Sequence, residues 1–363
     1  MAKLSAAEMA KLRKERLERI EHSFNQPAQP KIMTMAPKVY IEAAVPGHAP
    51  PEWYERIGIK NLPPISFEDQ GDAAADCIKA GAALIHCHPR DPETGIASPH
   101  FPPEVRRRHV ECIEAVYKRA LDKGVDFVTS SHTWTYGHDH ITDYIHDSRE
   151  LLQDGEKDGV GNFYVQMGMI MTGGAYTPDG AHHTEEAIQA GVKFYEANNI
   201  KPMLSVELFA MDRIRHYLVD TGALKNKPYW ISVQEGKHGS DRIGADFPWA
   251  NLEIITDAGL LKSFFGTQGK DFVWGTHTGG RNWLQATAQA ILCGANFVRS
   301  GLEDQFYLYP HRDDTAKKAS DTVKLLVELC HALGREVGTA ADLRKECNMK
   351  LTSKQAVGAG ARK

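Results

Sequence analysis

Several features are scarce in this sequence, and each absence removes a class of function. Its six cysteines (Cys77, Cys87, Cys112, Cys293, Cys330 and Cys347) are scattered and form no CxxC pair. That pattern reads as reduced thiols, not as a disulfide frame or a zinc ribbon. No apolar run approaches the roughly 20 residues that cross a bilayer, and the N-terminal stretch lacks the apolar core of a signal peptide. No Lys/Arg patch stands out beyond that stretch, and the net charge is −4 with histidine neutral. Neither a nucleic-acid groove nor a membrane surface is therefore expected as a partner, and a cytoplasmic location is the default. No GxGxxG opens a helix after the first apolar strand, which weighs against a dinucleotide-binding sheet.

What is present is material for a large soluble core. Hydrophobic residues make up 42% of the 363 and charged residues 25%, an ordinary globular balance. Residues 5–22 are charged, Ala-rich and free of Gly and Pro, which predicts a helix, and 25–38 with its prolines reads as a linker. Residues 1–37 are accordingly read as a helical, oligomer-stabilising arm and linker, 38–350 as the main domain and 351–363 as a tail.

From residue 38 strand-like and helix-like segments alternate. Short apolar runs fall near 38–45, 82–88, 125–131, 162–170, 201–207, 228–234, 271–276 and 296–301. Helix-period stretches lie between them near 66–81, 103–123, 139–153, 183–198, 209–222, 249–263, 280–293 and 315–334. A further helix is expected from 335 onward. Eight βα units in series make an α/β fold of the (β/α)8 (TIM) barrel type, with an N-terminal helical extension, the leading architecture. An open doubly wound sheet is the alternative.

In such barrels chemistry gathers at the C-terminal ends of the strands. Strand 2 ends in His86-Cys87-His88, and residues i and i+2 share a strand face. If Ile85 and Cys87 face the helices, both imidazoles face the axis and can share one ion. Strand 8 ends in Arg299-Ser300-Gly301-Leu302-Glu303-Asp304. Strand 1 alone separates strands 8 and 2 in a closed barrel, so Glu303 can reach the same ion. Two histidines and one carboxylate leave coordination positions open, as catalytic metal sites do. Other strand ends offer Glu207 (strand 5), Ser130, Ser131 and His132 (strand 3), and the turn Thr276 to Gly280 after strand 7.

The segments HCHPRDPETG, RSGLED and ALGREVGTAADLRKE resemble those of the beta-keto acid cleavage enzymes, and the similarity covers roughly 38–350. The resemblance implies a homo-oligomeric barrel, a tetramer foremost, with a divalent ion, zinc foremost, on His86, His88 and Glu303. It implies Asp304 as catalytic base, Arg299 on the substrate carboxylate, and reaction of a β-keto acid with acetyl-CoA to give acetoacetate and a new acyl-CoA. Glu207 matches the family's strand 5 glutamate approximately. TSSHTW replaces a Ser/Thr-Gly-Gly turn, leaving Ser130 and His132 as alternatives there. Lys237 and Arg242 fall in the place of a CoA-contacting loop. His48 and Ala49 stand near the position of a glutamate that meets a substrate amine, so a 5-amino side chain is not expected. The rivals are an amidohydrolase-like hydrolase, which normally adds histidines at strands 5 and 6, and a barrel that binds without catalysing.

Overall fold

The architecture comes from a computed structural model, which describes residues 4–24, 35–45, 47, 51–56, 58–60, 63–97, 106–131, 140–172, 184–207, 211–235 and 249–353. The chain divides into two units, Met1–Met35 and Ala36–Lys363. In the first, α1 (Ala6–Phe24) is capped by Ser5, whose backbone N–H and hydroxyl both bond Glu8 at 2.7 Å. Its Leu4, Met9, Leu12, Leu17 and Ile20 are exposed.

In the second unit eight parallel strands close on themselves. They are β1 (Lys38–Ala44), β2 (Leu84–Cys87), β3 (Val128–Ser131), β4 (Met167–Met171), β5 (Lys201–Glu207), β6 (Tyr229–Glu235), β7 (Phe272–Thr278) and β8 (Phe297–Ser300). Each pairs with the next, and β1 pairs with both β8 and β2, which closes the barrel and excludes the open sheet. The helices are α2 (Pro51–Arg56), α3 (Phe67–Ala80), α4 (Arg106–Asp122), α5 (His140–Lys157), α6 (Glu185–Ala197), α7 (Met211–Arg213), α8 (Trp249–Phe265), α9 (Trp283–Leu292), α10 (Ala319–Ala332) and α11 (Ala340–Glu346). No helix among the described residues is long and apolar enough to cross a membrane.

Three expected elements differ. The run 162–165 is a 3-10 turn (Gly161–Val165), and β4 starts at Met167. Gly161 adopts a φ of +58°, outside the extended range, and turns the chain into the 3-10 segment before the strand begins. The helix expected over 209–222 is short, because α7 passes into a π turn at Ile214–Val219. The closing helix is delayed: Glu336–Val337 first pairs with β1 as a short strand β9. Thr339 and Asp342 then cap α11 reciprocally.

Period-2 alternation sorts the strands into two faces. Val39, Ile41, Ala43, Ile85, Cys87, Leu204, Ile231 and Val298 pack outward against the helices. Tyr40, Leu84, Val128, Met167, Met203, Trp230, Val273 and Phe297 fill the N-terminal half of the barrel interior. Trp230 stacks on Phe297 with ring centroids 4.1 Å apart. Ala340 and Leu343 of α11, with Cys347 just after it, belong to the same cluster and close that end. Two residues further along six of the eight strands, the inward parity delivers Glu42, His86, Ser130, Ser205, Ser232 and Arg299, so polar groups lie directly above an apolar floor.

Candidate metal centre and active site

The parity that places Leu84 in the floor turns His86 and His88 toward the axis, both buried. Glu303 lies in the turn after β8, its side chain 2% exposed. The three side chains converge. His86 Nε2 lies 3.1 Å from His88 Nε2 and 3.3 Å from Glu303 Oε2, and His88 Nε2 lies 3.4 Å from Glu303 Oε1. Among the described residues this is the one His/Cys/Asp/Glu group able to hold a metal ion.

The donor set fits a divalent cation on three counts. His86 Nδ1 sits 3.2 Å from the Ser130 carbonyl, which only accepts, so in the neutral ring Nδ1 carries the proton and Nε2 presents its lone pair. Donors held tetrahedrally at about 2.0–2.1 Å from a zinc lie about 3.3 Å apart, as these do. Glu42, Glu303 and Asp304 together oppose the single guanidinium of Arg299 in a buried setting. Three negative charges against one positive leave a deficit that a doubly charged ion fills.

Arg299 links the ligand to its neighbour. Nη2 lies 2.5 Å from Glu303 Oε1, and Nε donates to Asp304 Oδ2 at 2.7 Å with Nη2 3.3 Å from Oδ1. Burial would depress the Arg299 pKa, but Asp304 and Glu303 more than reverse that and keep it charged. Its Nη1 has no hydrogen-bond partner among the described residues.

The remaining expected site residues are less concentrated. Ser130 meets His86 through its carbonyl, while its hydroxyl points to the Met203 sulfur at 3.7 Å. Glu207 ends β5 in register with Gln234, and its side chain falls outside the described residues. Lys237, Arg242, His132, His48 and Ala49 also lie outside them.

One array escaped the sequence reading. β7 runs through Thr278, past the expected end at 276, so His277 is an inward strand residue and not part of a turn. It stands in register with Arg299, which stands in register with Glu42. His277 Nε2 lies 3.2 Å from Glu42 Oε2 and 2.7 Å from Ser232 Oγ. Burial pushes the Glu42 carboxyl up, yet His277, Arg299 and His86 outweigh it and hold it at about 2. The signal was a lone glutamate at an inward position of the apolar run KVYIEAAV.

The model of the beta-keto acid cleavage enzyme family matches residues 38–349. The chain belongs to that family. A 3-dehydrocarnitine:acetyl-CoA trimethylamine transferase from Rhizobium meliloti is 23% identical over 339 residues, spanning 89% of this chain and 99% of the relative. A 3-keto-5-aminohexanoate cleavage enzyme from Fusobacterium nucleatum is 24% identical over 289 residues, spanning 79% and 91%. Among solved structures, the ternary complex of ObcA with a C4-CoA adduct and oxalate superimposes with a TM-score of 0.61 at 15% identity. It covers 79% of this chain and 67% of that one, a likeness of fold. For this family member the hydrolase alternative loses its footing. No further histidine joins His86 and His88 among the described residues, and His277 is engaged with Glu42 and Ser232.

Proposed function

We propose that the chain is a metal-dependent enzyme that joins a β-keto acid to acetyl-CoA and cleaves the adduct in the retro-Claisen direction. The products are acetoacetate and a new acyl-CoA. The observation that carries the reading is the convergence of His86, His88 and Glu303 beside a buried Arg299–Asp304 pair. A divalent ion, zinc foremost, held by those three would supply Lewis acidity, lowering the pKa of the proton between the keto and carboxylate groups.

The chain's own residues do the rest. Arg299 Nη1 is free to donate to the substrate carboxylate, orienting it while leaving the C–C bond to that carboxylate intact. Both Asp304 oxygens are engaged by Arg299, which makes Asp304 a poor base in the absence of substrate. A carboxylate arriving on Nη1 draws the guanidinium toward itself, which loosens the Nε and Nη2 bonds to Asp304 and releases Asp304 to take the C2 proton. Glu207 and Ser130 complete the proposed substrate wall, and Lys237 and Arg242 are assigned to the CoA phosphates. The reading takes 38–350 as the catalytic domain, with 1–37 and 351–363 outside it. A cytoplasmic homo-tetramer using the arm as a contact fits the exposed apolar residues of α1.

The test is direct. Purified protein is analysed for bound metal, then incubated with acetyl-CoA and a panel of β-keto acids, with mass spectrometry of the acyl-CoA pool. New acyl-CoAs and acetoacetate in equal amounts are expected, with the 5-amino compound a poor substrate. Turnover without CoA, or metal-replete protein inert toward the whole panel, refutes the reading.

A further inference from the structure

The run that supplies both histidines continues through Pro89 to Arg90, which has no part in the chemistry above. Arg90 is fully buried. Gln70 of α3, also fully buried, grips its main chain in both directions. Arg90 N–H donates to Gln70 Oε1 at 2.9 Å, and Gln70 Nε2 donates to the Arg90 carbonyl at 3.1 Å. From that anchored backbone, Nη2 donates to the carbonyl of Gly47 at 2.5 Å.

Gly47 in turn abuts the chain at Glu303. A methyl group on Gly47 would lie 2.9 Å from Glu303 Cα and 3.3 Å from its Cβ, closer than carbon atoms tolerate. It would also lie 2.9 Å from the Tyr54 hydroxyl, which itself hydrogen-bonds Arg90. Tyr54 meets Phe306 edge to face at 5.2 Å, pinning the same turn from its far side. Arg90, Gly47 and Tyr54 thus form a continuous buttress behind the carboxylate ligand.

The three metal-site residues are unequally supported. His86 stands in a strand paired on both sides, and a carbonyl fixes its ring. Glu303 stands in a turn closed by Asp304 and Gln305 N–H bonds to the Gly301 carbonyl, and Gly47 packs against its main chain. A guanidinium is costly to bury, so one placed to bond both the Gly47 carbonyl and Tyr54 marks the position it holds as one that matters.

We infer that Arg90 is a positioning residue for the metal centre, acting through Gly47 to set the place of Glu303. This rests on the His86–His88–Glu303 site proposed above. The ligand concerned is a divalent cation, and the quantity Arg90 controls is its affinity.

The experiment is competition for zinc between the full-length protein and a chromophoric chelator, with thermal unfolding recorded for each variant. Arg90→Met and Gly47→Ala are expected to weaken zinc binding by about 10–100-fold, the usual effect of removing support behind a ligand, with Arg90→Lys intermediate. In a Glu303→Gln background, Arg90→Met is expected to cause no further loss, because its effect passes through that carboxylate. Gly47→Ala keeps the test open if Arg90→Met does not fold, since it presses on Glu303 from the same side with Arg90 intact. Wild-type affinity in both Arg90→Met and Gly47→Ala overturns the inference. So does a full additional loss for Arg90→Met in the Glu303→Gln background. Wild-type protein that binds no zinc or other divalent ion overturns the metal site itself, a different and distinguishable result.

Discussion

Replacing Glu42 by glutamine keeps the shape of the side chain and removes its charge, which isolates what the carboxylate does inside the barrel. Glu42 is fully buried beside His277 and close enough to Arg299 to feel its charge. Burial alone would raise its pKa, but the hydrogen bond from His277 and the nearby guanidinium of Arg299 lower it from 4.5 to about 2. A shift of that size corresponds to about 3 kcal/mol at 1.36 kcal/mol per unit. This agrees in scale with the roughly 3–5 kcal/mol cost of removing one member of a buried ion pair. The sign follows from the depression. The stabilisation is complete above the unfolded-state pKa and is lost as pH falls from about 4.5 toward 2, where the folded-state carboxylate protonates. Urea unfolding of wild type and Glu42→Gln, run in parallel from pH 7 to pH 3, reads the difference directly. Glu42→Gln is expected to be less stable by about 3 kcal/mol at pH 7, with the gap narrowing below pH 4.5. Equal stabilities at pH 7, or a gap that stays constant down to pH 3, refute the reasoning.

Asp304→Asn is expected to lower kcat by about 10²–10⁴-fold while bound metal stays stoichiometric, because it removes a proton acceptor and not a ligand; loss of metal in this variant would reassign it. His86→Ala is expected to lose both metal and turnover together, read by elemental analysis of the purified protein alongside the acyl-CoA assay. Phe297→Ala opens a cavity under Trp230 and is expected to cost about 3–5 kcal/mol in urea unfolding, with the metal site intact.

Much of the fold was legible because strand and helix periodicities differ and alternate eight times. The HxH spacing was legible for the same reason: Ile85 and Cys87 belong to the outer face, so His86 and His88 belong to the inner one. What escaped were features fixed by partners remote in sequence. The run NFYV looks like a strand, but Gly161 takes a left-handed φ and the backbone curls before β4 begins. Glu42 looks like an interruption in an apolar strand until β7 brings His277 beside it. Arg90 was part of a recognised motif, yet its hold on Gly47 depends on a chain crossing that no local pattern encodes. Glu303 drew attention through its motif and its strand end, whereas its support from Gly47 is purely tertiary.

The division of the barrel interior into an apolar floor and a charged upper tier has an electrical consequence. Leu84, Met167, Met203, Trp230 and Phe297, with α11 beneath, form a weakly polarisable slab that cannot solvate the ions resting on it. Those charges are therefore screened unequally, hardly at all from below and only where solvent or a ligand enters from above. The field of the tier is accordingly funnelled outward through the mouth of the barrel.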